Sequence, residues 1–301
     1  MCTVVFLRRP DHRWPLVLGA NRDEMKNRPW HAPGRHWPDR NNVVAGKDKL
    51  AGGSWLGIND EGVIAGVLNR KDSLGPDDNL RSRGELVLEA LDHNDATYAI
   101  EALGEINPSA YRSFNLFIAD NRDAWWLRSL GPHAKKVEIF NIPEGISMLT
   151  AWDLNAENSM RTSFHLPRFE GARQPDPDSQ DWQHWERLMR STERTNGAVS
   201  GEAMFIETKR GFGTLSTSLI ALETSQTLNA RKIWRFIDHT EERAEYINVD
   251  LSPEDCAKVL TSTGLEVERI QEVESIKGGL KGLLVGEVIT CEKHPNADRL
   301  N

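Results

Sequence analysis

The sequence is short of the features that most quickly assign a chain to a class. Among 301 residues there are only three cysteines, Cys2, Cys256 and Cys291. An odd, widely spaced set excludes a disulfide framework and a cysteine-based zinc site. No stretch approaches the roughly 18 consecutive apolar residues of a membrane helix. The opening, MCTVVFLRRPDHRWP, lacks the basic-then-apolar order of a secretory signal. Positive charge is not in surplus either. The net charge is −8, which gives no general attraction to nucleic acid or to an anionic membrane. These absences predict a cytoplasmic protein without membrane contact. The Gly-rich run AGKDKLAGGSWLG at 45–57 lacks GK[ST], so it is not a P-loop; it reads as a loop leading into a strand, with Trp55 lining a pocket. His31 and His36 have no third ligand nearby, so they read as a surface loop and no metal is expected.

Aromatic residues are missing from one part of the chain. All ten tryptophans lie between Trp14 and Trp234, and no Phe, Tyr or Trp occurs from Leu251 to Asn301. One core does not account for such a shift. A boundary is therefore expected within 242–251, giving domains at 1–245 and 246–301.

The first domain alternates strand-like and helix-like segments. Residues 3–7 and 14–20 are apolar runs around a Pro10-Asp11 turn. Residues 21–39 are polar and Pro-rich and read as loop. Residues 54–58 and 63–68 form a hairpin about 59–62. Helical spacing marks 83–91 and 96–106. A second hairpin joins 114–119 to 124–128. Residues 146–151 read as a strand and 180–189 as a helix. Residues 212–222 and 233–237 read as a last strand pair. Trp125-Trp126 should put one ring in the core and one on the opposite face. Asp72 and the Asp77-Asp78 pair read as a solvated loop. Two blocks of strands separated by helices predict a layered α+β fold.

Cys2 carries the chemistry. Met1 before a small residue is normally removed, which leaves Cys2 with a free α-amino group. An α-amine titrating near about 8 can exchange a proton with the thiol of its own residue. Nucleophile and base then come from one residue. Such a centre still needs a cation beside the sulfur, a group to hold the amine, and donors for an oxyanion. Asn21-Arg22-Asp23-Glu24, expected directly after the second strand, offers the first two as Arg22 and Asp23.

Seven segments carry a resemblance, in order: MCTVVF, GANRDE, AGGSWLGIN with GVIAGVLNR, SRGELVLEAL, FNLFIAD, GISMLTAWDLN and GFGTLSTSLIAL. Together they resemble the NRDE family, also called the transport-and-Golgi-organisation-2 family, from Met1 to about Phe236. The resemblance implies a four-layer αββα sandwich like that of N-terminal-nucleophile hydrolases. It is similar at its start to penicillin V acylases and bile salt hydrolases. It implies Cys2 as nucleophile, Arg22 and Asp23 as its partners, and Asn69 as oxyanion donor, with Asn21, Trp55 and Ala151 around the substrate. Two positions depart from the pattern. Ala151 follows Leu149-Thr150 where the acylases have a second Asn, and Leu215 stands where many relatives have Arg. No cofactor is required; haem is a ligand that eukaryotic relatives suggest.

From about Tyr246 the sequence resembles a second family, the β subunit of bacterial phenylalanyl-tRNA synthetase, through LSPEDCAKVL, TGLEVE and KHPNADRL. The resemblance implies the beginning of an OB-fold tRNA-binding module, hence a short, incomplete α/β fragment. Five strands make an OB fold, and at most three are expected here. A short helix capped by Ser252, with Asp255 at the capping-box position, should open it. Cys256 and Cys291 read as buried or half-buried thiols. Residues 251–301 hold nine acids against six bases and no ring for base stacking. Nucleic acid is thus not expected as a partner of 1–245, and tRNA enters only through this resemblance. The expected function is an N-terminal cysteine amide hydrolase acting on a small acylated or hydrophobic molecule. The alternatives are a non-catalytic haem or acyl-lipid carrier on the same scaffold, and a tRNA-binding fragment.

Overall fold

The computed structural model describes residues 2–75, 77, 79–225 and 230–252. The described strands and helices all belong to the first of two compact units, Met1–Pro253. The capped helix expected from Ser252, both Cys256 and Cys291, and the OB-like segment lie outside the described residues.

Thirteen strands among the described residues make two antiparallel sheets. The first comprises β1 (Thr3–Arg8), β2 (Leu16–Met25), β10 (Gly145–Leu149), β11 (Phe212–Leu222), β12 (Lys232–Asp238) and β13 (Ile247–Asn248), in the order β10-β1-β2-β11-β12-β13. The second runs in chain order through β3 (Trp30–Gly34), β4 (Val43–Asp48), β5 (Leu56–Asn59), β6 (Ile64–Asn69), β7 (Phe114–Ala119), β8 (Ala124–Ser129) and β9 (Glu138–Asn141). Their facing sides share one core, in which Val4, Phe6, Leu18 and Ile220 meet Ile58, Ile64, Leu68 and Phe117. Helices α1 (Gly84–Leu91) and α2 (Ala96–Gly104) cover the outer face of the second sheet through Leu86, Leu91, Ile100 and Leu103. Helices α3 (Met160–Glu170) and α4 (Gln183–Met189) cover the outer face of the first, where Phe169 and Trp185 meet Val5, Val17 and Leu219. The first unit is a four-layer αββα sandwich, the α+β architecture expected. No helix among the described residues is long and apolar enough to cross a membrane.

Double coverage explains the strand sequences. On β1, Val4 and Phe6 face the other sheet while Val5 and Leu7 face α3 and α4. A strand buried on both faces reads as an unbroken apolar run rather than an alternation. Trp126 likewise enters the inter-sheet core and Trp125 packs on the helix side.

Several expectations need correction. Residues 21–25 are not loop: β2 continues through Asn21-Arg22-Asp23-Glu24 to Met25, because β11 pairs with it as far as Phe212↔Met25. The Pro-rich segment after it contains β3, and residues 43–48 form β4 rather than a loop. Helix α3 was not expected, since it has little apolar sequence and contains Pro167. It starts because the Ser159 hydroxyl accepts from Thr162 N–H at 3.2 Å. Residues 246–251 lie within the first unit, Met1–Pro253. Val249 N–H donates to the Trp234 carbonyl at 2.8 Å, and Val249 and Leu251 lie against the inter-sheet core.

Helix α3 buries His165 completely. Burial, reinforced by Arg161 and Arg168, pulls its imidazole down to about 4. Burial and Arg190 do the same to His239, also to about 4. Between that value and the ordinary histidine pKa near about 6.5, the unfolded chain binds protons that the folded chain refuses. Stability is therefore whole above that range and falls as pH drops through it, by about 2–3 kcal/mol per buried histidine. Urea unfolding at stepped pH should show this slope. His165→Gln, which cannot titrate, should remove about half of it.

Candidate active site

Strand parity divides the Asn21–Glu24 segment between two layers. In the β1–β2 register Thr3 pairs with Asn21, so Cys2 comes level with Arg22 one step further on. Cys2 is half-buried against the inter-sheet core, on the side opposite Thr3. Its sulfur accepts from Asp23 N–H at 3.4 Å and lies 3.7 Å from the Asp23 carbonyl oxygen, toward which the thiol can donate. Burial pushes the thiol pKa up, and the Asp23 negative charge adds to that. The Asp23 N–H contact and Arg22 pull the other way without reversing the direction. The direction of the shift favours the protonated thiol.

Arg22 is 5% exposed. Its guanidinium lies over the Trp55 ring at 4.2 Å and the Trp30 ring at 5.4 Å, and 3.9 Å from Asp48 Oδ2. Its Nη1 is buried with no hydrogen-bond partner among the described residues. The Trp55 ring reaches this position only because residue 46 is glycine: a Cβ there would lie 2.2 Å from Trp55 Cζ2. Asp48 is in turn held by Arg28 Nε at 2.5 Å.

Asp23 directs its carboxylate the other way, into the layer beneath α3. There Oδ1 accepts from Thr214 Oγ1 at 2.6 Å, and Oδ2 lies 3.4 Å from Arg161 Nη1. Arg161, 2% exposed, also donates to Thr3 Oγ1 at 2.5 Å and to the Gly201 carbonyl. Asn21 points into this layer too. Its amide donates to the carbonyls of Met189 and Met204 at 2.9 and 2.8 Å and accepts from Thr217 Oγ1 at 2.7 Å. It fastens α4 to the first sheet.

A cleft of about 190 Å³ opens at Cys2. Besides Cys2, Arg22 and Asp23 it is lined by Trp55, Val67, Asn69, Leu80, Arg81, Arg83 and Arg112, among others. Asn69 ends β6, and its side-chain amide makes no hydrogen bond among the described residues. The structure therefore brings together Cys2, Arg22, Asp23, Asn69 and Trp55. It does not bring in Ala151, which is buried and presents its carbonyl to Lys71 N–H at 3.0 Å. Asn115, on β7, donates to the Thr150 and Trp152 carbonyls on either side of Ala151 at 2.9 and 2.7 Å. Leu215 is the bulged residue between Thr214↔Asp23 and Ser216↔Arg22, and its side chain is buried. Asp77, read from sequence as solvated, also lines the cleft. His31 and His36 stack on each other at 5.4 Å, outside this cleft. Arg161 gave no signal in the sequence. Arg83 lay within SRGELVLEAL, a segment that marked family rather than role.

Residues 1–255 match the family described as Transport and Golgi organisation 2. The chain belongs to that family. A bovine member, the Transport and Golgi organization protein 2 homolog of Bos taurus, is 36% identical over 133 residues, covering 40% of this chain and 45% of that one. A 57-residue segment is 58% identical to the phenylalanine–tRNA ligase β subunit of Bacteroides thetaiotaomicron, covering 19% of this chain and 7% of the ligase subunit. The chain thus spans less than half of the bovine relative and a small fraction of the ligase. Among solved structures, it is similar to an N-acylethanolamine-hydrolyzing acid amidase ortholog from Caenorhabditis elegans. The TM-score is 0.49 at 12% identity, over 73% of this chain and 92% of that one. A mutant conjugated bile acid hydrolase from Clostridium perfringens gives a TM-score of 0.48 at 12% identity, over 83% and 94% of the two chains.

Proposed function

We propose that the cleft is the active site of an N-terminal cysteine amide hydrolase for small acylated substrates. The observation that carries this reading is the placement of the Cys2 sulfur, held by Asp23 N–H at 3.4 Å in a cleft shared with Arg22 and with an Asn69 amide that makes no hydrogen bond among the described residues. After loss of Met1, the neutral α-amine takes the thiol proton as sulfur attacks the amide carbonyl carbon. The carbonyl π electrons move to oxygen, and the oxyanion is met by the Asn69 amide. Collapse breaks the C–N bond, the α-ammonium returns its proton to the leaving amine, and a thioester remains. Water, deprotonated by the same amine, cleaves the thioester to a carboxylic acid and frees the thiol. The raised thiol pKa supports this order, because a protonated thiol gives a base in place something to do.

Mass spectrometry of the purified chain tests it. Met1 should be absent, and an electrophilic acyl probe should add its mass at Cys2 alone. Retention of Met1 sinks the single-residue mechanism. Asn69→Ala should lower kcat by about 100- to 1000-fold, the usual loss for one oxyanion donor.

A second reading, non-catalytic binding of an acyl lipid or haem, draws on Ala151 and Leu215. Both are buried apolar side chains, Ala151 where the acylases have Asn and Leu215 where many relatives of this family have Arg. Among the cleft-lining residues Cys2 is the one haem-ligand type, and the Asp23 backbone already engages its sulfur. A haem titration unaffected by Cys2→Ala, together with no probe labelling, would favour this second reading.

A further inference from the structure

The arginines of the cleft differ in what neutralises them. Arg22 and Arg28 share Asp48, and Arg28 also lies 3.8 Å from Glu24. Arg81 pairs with Glu85 at 2.6 Å and Glu89 at 3.4 Å. Among the described residues Arg83 has only neutral acceptors. Its Nη1 donates to the Ser73 carbonyl at 2.8 Å, the Ser113 carbonyl at 3.0 Å and Ser73 Oγ at 3.2 Å, while Nη2 donates to the Gly75 carbonyl at 3.3 Å. No carboxylate pairs with it among the described residues. Burial and the like charge of Arg112 pull it down to about 10, so it remains a cation at neutral pH.

The bonds Arg83 makes leave one edge of the guanidinium unused. A guanidinium carries five N–H donors. The Nη1 end is taken up by the loop carbonyls. Nε makes no hydrogen bond among the described residues, and Nη2 has a second hydrogen to give. That edge is the fork that grips a carboxylate through two parallel bonds. The backbone beneath it is fixed. Ser54 N–H donates to the Gly84 carbonyl at 3.0 Å, and a Cβ on Gly53 would lie 2.5 Å from the Gly84 carbonyl carbon. Arg83 and Trp55 therefore sit on two segments packed backbone to backbone at the cleft. Trp55, Val67 and Leu80 supply an apolar wall. The lining suits a molecule with an acyl chain and one negative charge.

We propose that Arg83 is the specificity determinant that selects acyl amides carrying a carboxylate. The proposal rests on the amide-hydrolase reading for the word "substrate" but is tested without turnover. The full-length chain carrying Cys2→Ala is titrated with N-dodecanoylglycine and with its neutral counterpart N-dodecanoylglycinamide, and tryptophan fluorescence is followed. The acid should bind about tenfold tighter or more. In Cys2→Ala/Arg83→Gln the acid should fall to the level of the amide. Cys2→Ala/Arg83→Lys, which keeps the charge without the fork, should retain part of the preference. A pure loop clamp predicts instead that both ligands weaken together and that Lys rescues neither. If Arg83→Gln unfolds, seen as a lost melting transition, the Lys variant and the wild-type preference decide the matter. Equal binding of acid and amide, binding of neither, or a preference that survives Arg83→Gln overturns the proposal. Probe labelling at Cys2 without an acid preference rejects the carboxylate and spares hydrolysis. An acid preference without labelling does the reverse.

Discussion

Cys2→Ala should lower kcat/KM for any acyl amide the protein hydrolyses by at least about 10⁴-fold, and the melting temperature should stay within about 2 °C of wild type. The size follows from how much chemistry one residue performs. Removing the sulfur removes the attacking atom, while the α-amine, Asn69 and Arg22 are left with nothing to act on. The small stability effect follows from position. Cys2 is half-buried at the start of β1, so the change deletes one atom at the edge of the inter-sheet core. The pH profile is a second signature. The α-amine must be neutral to take the proton, and burial and Asp23 hold the thiol above its ordinary value. Below the amine pKa, near about 8, kcat/KM should fall about tenfold per pH unit. A flat profile from pH 6 to 9 with full Cys2 dependence would point to a thiolate already formed. That is the reverse of the arrangement at Cys2.

The layers of the fold were legible because its strands are bounded by strong turn signals. Most expected boundaries fall within a few residues of those observed: the helix at 83–91 is Gly84–Leu91, and the strand pair at 212–222 and 233–237 is Phe212–Leu222 with Lys232–Asp238. What escaped was held by partners rather than by local sequence. Polar Asn21–Met25 stays extended because β11 continues alongside it. Helix α3, with Pro167 inside, is kept by the burial of Phe169 and by the bonds of Arg161. Such dependence on distant residues leaves no periodicity to read.

The candidate site was legible in residue type and only partly in role. Cys2, Arg22 and Asn69 reach one cleft. Adjacent residues on a strand point to opposite faces. Reading 21–24 as a loop hid this rule, which sends Asn21 and the Asp23 carboxylate into the α3–α4 layer. Asp23 thereby has two ends with two tasks: its backbone touches the Cys2 sulfur, and its carboxylate anchors Arg161.

That anchor yields the largest expected effect on stability. Arg161 and Asp23 are both nearly inaccessible, and they meet at 3.4 Å between β2 and α3. Arg161 also ties α3 to Thr3 on β1 and to the Gly201 carbonyl. Arg161→Met keeps much of the apolar stem and removes the charge. Asp23 is then left with the Thr214 hydroxyl but without the Arg161 cation. Breaking one side of a buried pair in this way typically costs about 3–5 kcal/mol. Urea unfolding should show a loss of that size with an unchanged m-value. Asp23→Asn alone leaves a buried guanidinium and should be comparably destabilised. The double variant Asp23→Asn/Arg161→Met leaves neither charge and should recover at least half of the loss. Additive losses in the double variant would mean that the two side chains act separately. The Cys2 sulfur supplies an independent readout. With the Asp23 charge gone, the thiol pKa should drop, and alkylation of Cys2 at pH 7 should speed up in Asp23→Asn. A purely structural role for the pair would leave that rate where it was.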